Sequence, residues 1–270
     1  AAYTATQSQS RVGVSGLSLS GVAAVRFAFP ASASGAGYKE LDALGAPPAY
    51  ADAYRMADTP QTLANDAQAD ARIADGAGAT LRTIGLAAAS SAVRTLTQGA
   101  TNGAVTLDPS GKTLTLGGLF LTAGAGDLTV GAGGTLKAAG RTLPVAALGA
   151  TNGATLASPL SDGAAGPAAL VKSGPGSLTL SAANAYSGGT KVLGGTLRVA
   201  AGGTTGTGGV AVAGATLRIE GGTVAPAYGN GAALTVANGS VVQTAGSLSY
   251  GGYAKITDSA LTLSGGTSGI

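Results

Sequence analysis

Short segments recur along this 270-residue chain at intervals too close for separate domains, and that repetition narrows its folds more than any single residue does. The element Gly-[Ala/Gly]-Thr-Leu-[Arg/Lys] stands at 78–82, 133–137, 194–198 and 214–218. A second, Leu-Thr-[Leu/Val], stands at 114–116, 128–130, 178–180, 234–236 and 261–263, and Ala-Thr-Asn-Gly-Ala occurs at 100–104 and 150–154. The leucines of the first element, Leu81, Leu136, Leu197 and Leu217, are spaced close to three, three and one units of about 20 residues. One unit reads as one turn of a repeating structure.

Within a unit the short pieces read as strands. Val105 and Leu107, Leu114 and Leu116, Leu128 and Val130, and Leu178 and Leu180 alternate with Thr or another small polar residue. That period of two marks a strand with one buried face. Gly or Asn-Gly bounds almost every piece and supplies the positive φ angles that tight turns need. A sandwich or barrel of this length normally buries large aromatics, and the chain holds only 3 Phe, 8 Tyr and no Trp. Coils stacked about 4.8 Å apart need only Leu, Val and Ile, because a narrow interior has little volume to fill. The expectation is therefore an all-β fold, a parallel β-helix (β-solenoid) of roughly ten coils over 76–270.

Residues 1–75 differ and are expected to form an irregular, loop-rich section or cap. Four of the 10 Pro and seven of the 12 acidic residues lie there. Val22 to Phe29 reads as a strand, while Thr59-Pro60 reads as the start of a short helix over 61–73. Asp66, Asp70 and Asp75 would be its solvated face.

Residues 170–199 read LVKSGPGSLTLSAANAYSGGTKVLGGTLRV. Leu170, Lys172, Gly174, Gly176, Leu178, Leu180, Asn184, Tyr186, Gly188, Thr190, Val192, Gly195 and Leu197 carry a pattern that resembles the passenger-associated β-strand repeat of bacterial autotransporters. Gly208 to Ile219 is a degenerate relative of it. The resemblance implies a right-handed parallel β-helix and an extracellular or outer-cell-surface location, and it brings no catalytic residues with it. A complete autotransporter ends in a translocating barrel, and nothing after residue 200 offers an aromatic girdle. No charged leader opens the sequence either, so a mature chain or a fragment is expected.

Composition excludes several chemistries. With no Cys and no His there are no thiolate or imidazole ligands for zinc, no disulfide, and no Ser-His or Cys-His nucleophile. No apolar run reaches the roughly 18–20 residues of a membrane helix. Net charge is only +3, and the basic residues are scattered without aromatic interleaving, so nucleic acid is not an expected partner. Asp108 and Asp127 could stack on adjacent coils as a glycosidase-like pair. Asp108 sits in Asp-Pro-Ser-Gly, however, and Asp127 begins a strand, so both read as turn acids. Gly124-Ala125-Gly126-Asp127 is a single, weak calcium-turn match. Lys137, Arg198 and Arg218, with Arg82 in register, could form a basic column for an acidic surface polymer, although outward solubilising positions are the plainer reading. Flat arrays of outward Thr bind ice in some β-solenoids, but the Thr spacing here reads as irregular. Asn184 and Tyr186 read as corner residues, with Tyr186 covering the flank. No catalytic, cofactor-binding or metal residue is assigned.

The functional expectation is a non-enzymatic structural or adhesive segment of a bacterial surface protein that self-associates into fibres. A passenger that binds or cleaves polysaccharide is the alternative. Surface polysaccharide or a host surface are candidate partners, and no membrane insertion is expected of this chain.

Overall fold

A computed structural model describes residues 52–55, 61–74, 83–101, 103–226 and 233–269. The expected strand at 22–29 and Arg82 lie outside them. The unit Ala51–Ile270 is a β-solenoid built of parallel strand pairs. Among the described residues there is no α-helix.

The earlier coils pass through three short strands, and later ones drop the strand on the second face. In one coil they are Val105–Asp108 on a first face, Thr113–Leu116 on a second and Leu119–Leu121 on a third. Two long strands reveal where one face passes into the next. Ser90–Gln98 pairs through its first half with Thr113–Leu116 and through its second with Leu119–Leu121. Ser240–Ser249 likewise spans two faces, pairing with Ala260–Leu263 and then Thr267–Gly269.

Alternation within each strand sends every second side chain inward, and parallel register stacks like upon like. On the first face one inward row runs Val105, Leu128, Ala154, Leu178, Leu197, Leu217 and Val241, all nearly or fully buried. Beside it run Ile84, Leu107, Val130, Leu156, Leu180, Val199 and Ile219. These rows are the core, and no aromatic layer is needed to fill it.

The step between coils varies more than the sequence suggested. Leu180 lies under Val199 but Val130 lies under Leu156, a range of about 19 to 26 residues per turn. The slack is taken up in loops at the corners, so strand register is preserved while sequence spacing drifts. Residues 61–73 are not the expected helix. They form the strands Gln61–Leu63 and Asp66–Ala74, which pair in parallel with Thr83–Leu86 and Ser90–Gln98. Pairing with a neighbouring coil supplies more to this weakly amphipathic stretch than a lone turn of helix can.

Candidate functional site

The residues singled out for chemistry are kept apart by the fold. Asp108 stands level with Gly85 on the first face, one residue past the buried Leu107. Leu107 pairs with Val130 and Val105 with Leu128, so Asp127 lies toward the opposite edge of that face. The two carboxylates therefore do not stack. The Asp108 carboxylate accepts from Ser110 N and Oγ, at 3.0 and 2.5 Å, and these bonds hold its pKa below the usual carboxylate value. Asp127 accepts the Gly153 amide of the next coil at 2.7 Å. Both are engaged in holding turns and rungs. Among the described residues no three Asp or Glu side chains converge as metal ligands would.

Asp66 and Asp70 lie on a strand. Asp70 accepts from Arg94, and from Thr95 Oγ1 at 2.8 Å, so it ties one coil to the next. The proposed basic column is shorter than expected. Arg198 and Arg218 are in register on the first face, whereas Lys137 lies on the second face between Thr115 and Ser161. Glu220 accepts from Arg218 Nε at 2.6 Å and from Arg198 Nε and Nη2 at 3.0 and 2.5 Å. Hydrogen bonding to Arg218 and then to Arg198 lowers its pKa. The same Gly-Gly-Thr-Leu-[Arg/Lys] motif thus occupies different faces in different coils, which spacing alone does not reveal.

The outward Thr residues give the opposite result. Thr83, Thr106, Thr129, Thr155 and Thr179 stand in direct register on five successive rungs of the first face, followed by Arg198 and Arg218. The varying loop lengths hid this ladder, because equal sequence intervals are not what stacks residues. A second hydroxyl row, Ser177, Thr196, Thr216 and Ser240, begins beside its upper end. Thr216 Oγ1 and Ser240 Oγ are 3.0 Å apart within it.

Buried polar side chains mark the corner between the third and first faces. Gln98 Nε2 donates to Ala100 O at 3.5 Å and Gly126 O at 3.4 Å. Asn152 Nδ2 donates to Thr122 O at 2.8 Å and Ala125 O at 3.3 Å. Lys172, fully buried, occupies an inward row otherwise made of Leu96, Leu119, Val145, Val192 and Val212. Its Nζ donates to Ser173 O, Gly174 O and Gly194 O at 2.8, 2.9 and 3.1 Å. Burial pushes its pKa down to about 8.

The sequence 170–199 can now be followed strand by strand. It enters on the third face with Ala169–Ser173 and crosses the first with Ser177–Leu180. It returns to the third with Thr190–Val192 and reaches the first again with Thr196–Ala200. Residues 170–199 match the Passenger-associated-transport-repeat. Neither a curated protein nor a solved structure matches the chain. One transport repeat is thus one coil together with the strands that receive the next.

Several positions of the matched segment have a physical task. Leu170, Leu178, Leu180, Val192 and Leu197 fill inward rows. Asn184 bonds across rungs, accepting Leu160 N at 2.8 Å and donating to Thr204 O at 2.7 Å, which is the corner role expected of it. Tyr186 does not cover the flank. It is fully buried, with its hydroxyl 2.6 Å from Thr190 Oγ1, which donates to Thr205 O at 2.8 Å. A glycine at 206 leaves room for it, since a Cβ there would come within 2.8 Å of the ring. In a narrow coil the ring fills space that no strand occupies at this corner.

Proposed function

We propose that the chain is a passenger segment of a bacterial autotransporter, carried to the outer cell surface or beyond, where it acts mechanically as a stalk, fibre or adhesive rod. The observation that carries this reading is the transport repeat at 170–199, set without interruption into a solenoid whose rows continue on both sides of it. The acidic residues favour it as well. Asp70, Asp108, Asp127, Asp162 and Glu220 are each bonded to neighbouring backbone, hydroxyl or guanidinium groups. Such a rod resists force through cumulative backbone hydrogen bonding along its axis and needs no reaction.

End-to-end self-association is part of the proposal. Wherever such a rod ends, its outermost strands are an unpaired parallel edge, and an edge of that kind is a template for another strand. Electron micrographs of the purified chain over a concentration series test the idea. Rods that lengthen with concentration are expected, and single-length rods at the highest concentration would overturn end-on assembly. The alternative, a passenger that binds or cleaves polysaccharide, predicts shortened products or retention on incubation with plant and bacterial glycans.

A further inference from the structure

Asn followed by Gly is the dipeptide readiest to lose its side-chain amide, because no Cβ shields the glycine nitrogen. The chain holds it at 102, 152, 230 and 238, and both residues are described at 152 and at 238. The fold treats these two in opposite ways. Asn152 is buried, with its Nδ2 donating to Thr122 O and Ala125 O and its Oδ1 accepting Gly149 N at 3.2 Å. Gly153 N is held by the Asp127 carboxylate, and Asn152 O accepts Ser177 N of the next rung at 3.0 Å. Asn238 is exposed, between Leu234–Ala237 and Ser240–Ser249, and among the described residues its carboxamide makes no hydrogen bond. Gly239 N donates to a side chain, Ser259 Oγ at 3.1 Å, rather than to a ladder carbonyl. The turn itself imposes this pair. Asn238 has φ +50°, and the same place is held by Gly214 (φ +60°) one coil before and by Asp258 (φ +50°) one coil after. Outside glycine, a left-handed backbone favours Asn and Asp. At 239 a Cβ would come within 2.7 Å of Ala215 O. A left-handed Asn is strained, so the backbone rotation that carries Gly239 N toward Asn238 Cγ starts from a shallow well.

We propose that Asn238–Gly239 is a site of spontaneous deamidation, restrained by the Ser259 hydroxyl, and that the reaction loosens the coil it occurs in. Gly239 N bonds to Asn238 Cγ as the Cγ–Nδ2 bond breaks. Solvent takes the Gly239 proton and returns one to the departing amine, so ammonia leaves and a cyclic imide remains. Water then opens the imide at one carbonyl or the other, giving aspartate or isoaspartate. Nothing is oxidised or reduced, and water is the sole co-reactant. Either product sets a carboxylate one rung, about 4.8 Å, from Asp258, and like charges in register repel. Isoaspartate also lengthens the main chain by a methylene ahead of Ser240–Ser249, where register decides which side chains point inward. The change needs no enzyme, accumulates with the age of the protein and does not depend on the passenger reading.

The full chain is aged at mildly alkaline pH in heavy-oxygen water and mapped by peptide mass, each converted Asn taking up solvent oxygen. In the folded protein Asn238 is expected to convert at least about tenfold faster than Asn152. In denaturant the two rates should converge, because the fold no longer separates them. Ser259→Ala, checked for an unchanged circular dichroism spectrum, frees Gly239 N and should speed conversion at Asn238 about threefold while leaving Asn152 as it was. Aged protein separated by charge should exchange the amides of Ser240–Ser249 and Ala260–Leu263 faster than fresh protein, with Ser177–Leu180 unaffected. Asn238 still intact in the folded protein when the denatured chain has converted, or converting no faster than Asn152, overturns the proposal. A Ser259→Ala rate equal to the parent's overturns the restraint, and unchanged exchange in the aged protein overturns the loosening.

Discussion

Lys172 shows how a single residue can be set against its surroundings and retained. Three carbonyl oxygens favour its ammonium, while burial among Val145, Val192 and the other aliphatic members of the row disfavours it. Its pKa, lowered from 10.5 to about 8, says that burial wins. In the unfolded chain the amine keeps its proton to about 10.5, so between about pH 8 and 10.5 the unfolded state binds more protons than the folded one. Stability contributed at this site therefore rises with pH through that window and is flat below it. Denaturant titrations of the parent and Lys172→Met at several pH values isolate the effect, and the difference between them should grow in favour of the parent from pH 8 to 10.5. A difference that stays constant across the window refutes the assignment. Gly195 is a second position governed by local physics. Its φ is +61°, and a Cβ there would strike the carbonyl oxygens of Gly174, Pro175 and Gly176 on the coil below. Gly195→Ala combines a left-handed backbone with a clash against main chain, and it should cost more than about 2 kcal/mol in equilibrium unfolding.

Among the elements, the second face is the least regular, and there side chains continue what backbone pairing begins. Its strands run through Thr113–Leu116, Thr135–Ala138 and Leu160–Ser161 and then lapse. Across the gap, Asn184 joins Leu160 below to Thr204 above, and the Thr204 hydroxyl donates to Asn184 O at 2.9 Å. Thr204 in turn bridges to Thr223, where strand pairing resumes. Asn184→Ala strands a buried donor and a carbonyl together and should cost about 2–4 kcal/mol by denaturant unfolding, while Asn184→Asp keeps the acceptor for Leu160 but sets a buried carboxylate against the Thr204 carbonyl and should lose at least as much at neutral pH. A loss in Asn184→Asp well below that in Asn184→Ala would show that the Leu160 bond carries most of the effect. This face also explains which parts of the structure the sequence discloses. Period-two stretches such as Leu178-Thr179-Leu180 announce strands because burial alternates residue by residue. Gly174 and Gly195 announce turns because positive φ excludes most side chains. Register is different: it depends on loop lengths between strands, so spacing alone makes the Thr ladder look irregular and groups Lys137 with Arg198 and Arg218. The burial of Tyr186 is hidden from the sequence for a related reason, since an aromatic beside Ser-Gly-Gly looks like a surface corner until the absence of a strand there leaves a hole for it. Residues 61–73 read as a helix because Thr-Pro and two apolar positions are compatible with one, and only the neighbouring coil turns them into strands.

For the solenoid as a whole, stability is a sum over coils and their contacts with the coils on either side. A coil in the middle is covered above and below; the last described coil is covered from one side among the described residues. The burial pattern follows that difference. Leu128, Leu156, Leu178 and Leu180 are fully buried, whereas the inward Ile256 and Leu263 are 40% exposed. Truncating a leucine in the middle removes contacts with two neighbours and opens a cavity in a row too narrow to collapse around it, so Leu180→Ala should cost about 2–5 kcal/mol. Leu263→Ala removes a side chain already partly in water and should cost under about 1 kcal/mol. Native-state hydrogen exchange follows the same gradient: amides of Leu128–Val130, Gly153–Leu156 and Ser177–Leu180 should be the slowest, with exchange quickening through Ala254–Thr257 and Ala260–Leu263. If chains of these 270 residues join end to end through the strand Ala260–Leu263, that strand gains cover on its second side, and its protection should climb with protein concentration while that at Ser177–Leu180 holds steady. Concentration-independent exchange at Ala260–Leu263, measured where micrographs display lengthened rods, would mean that the ends join without using this edge.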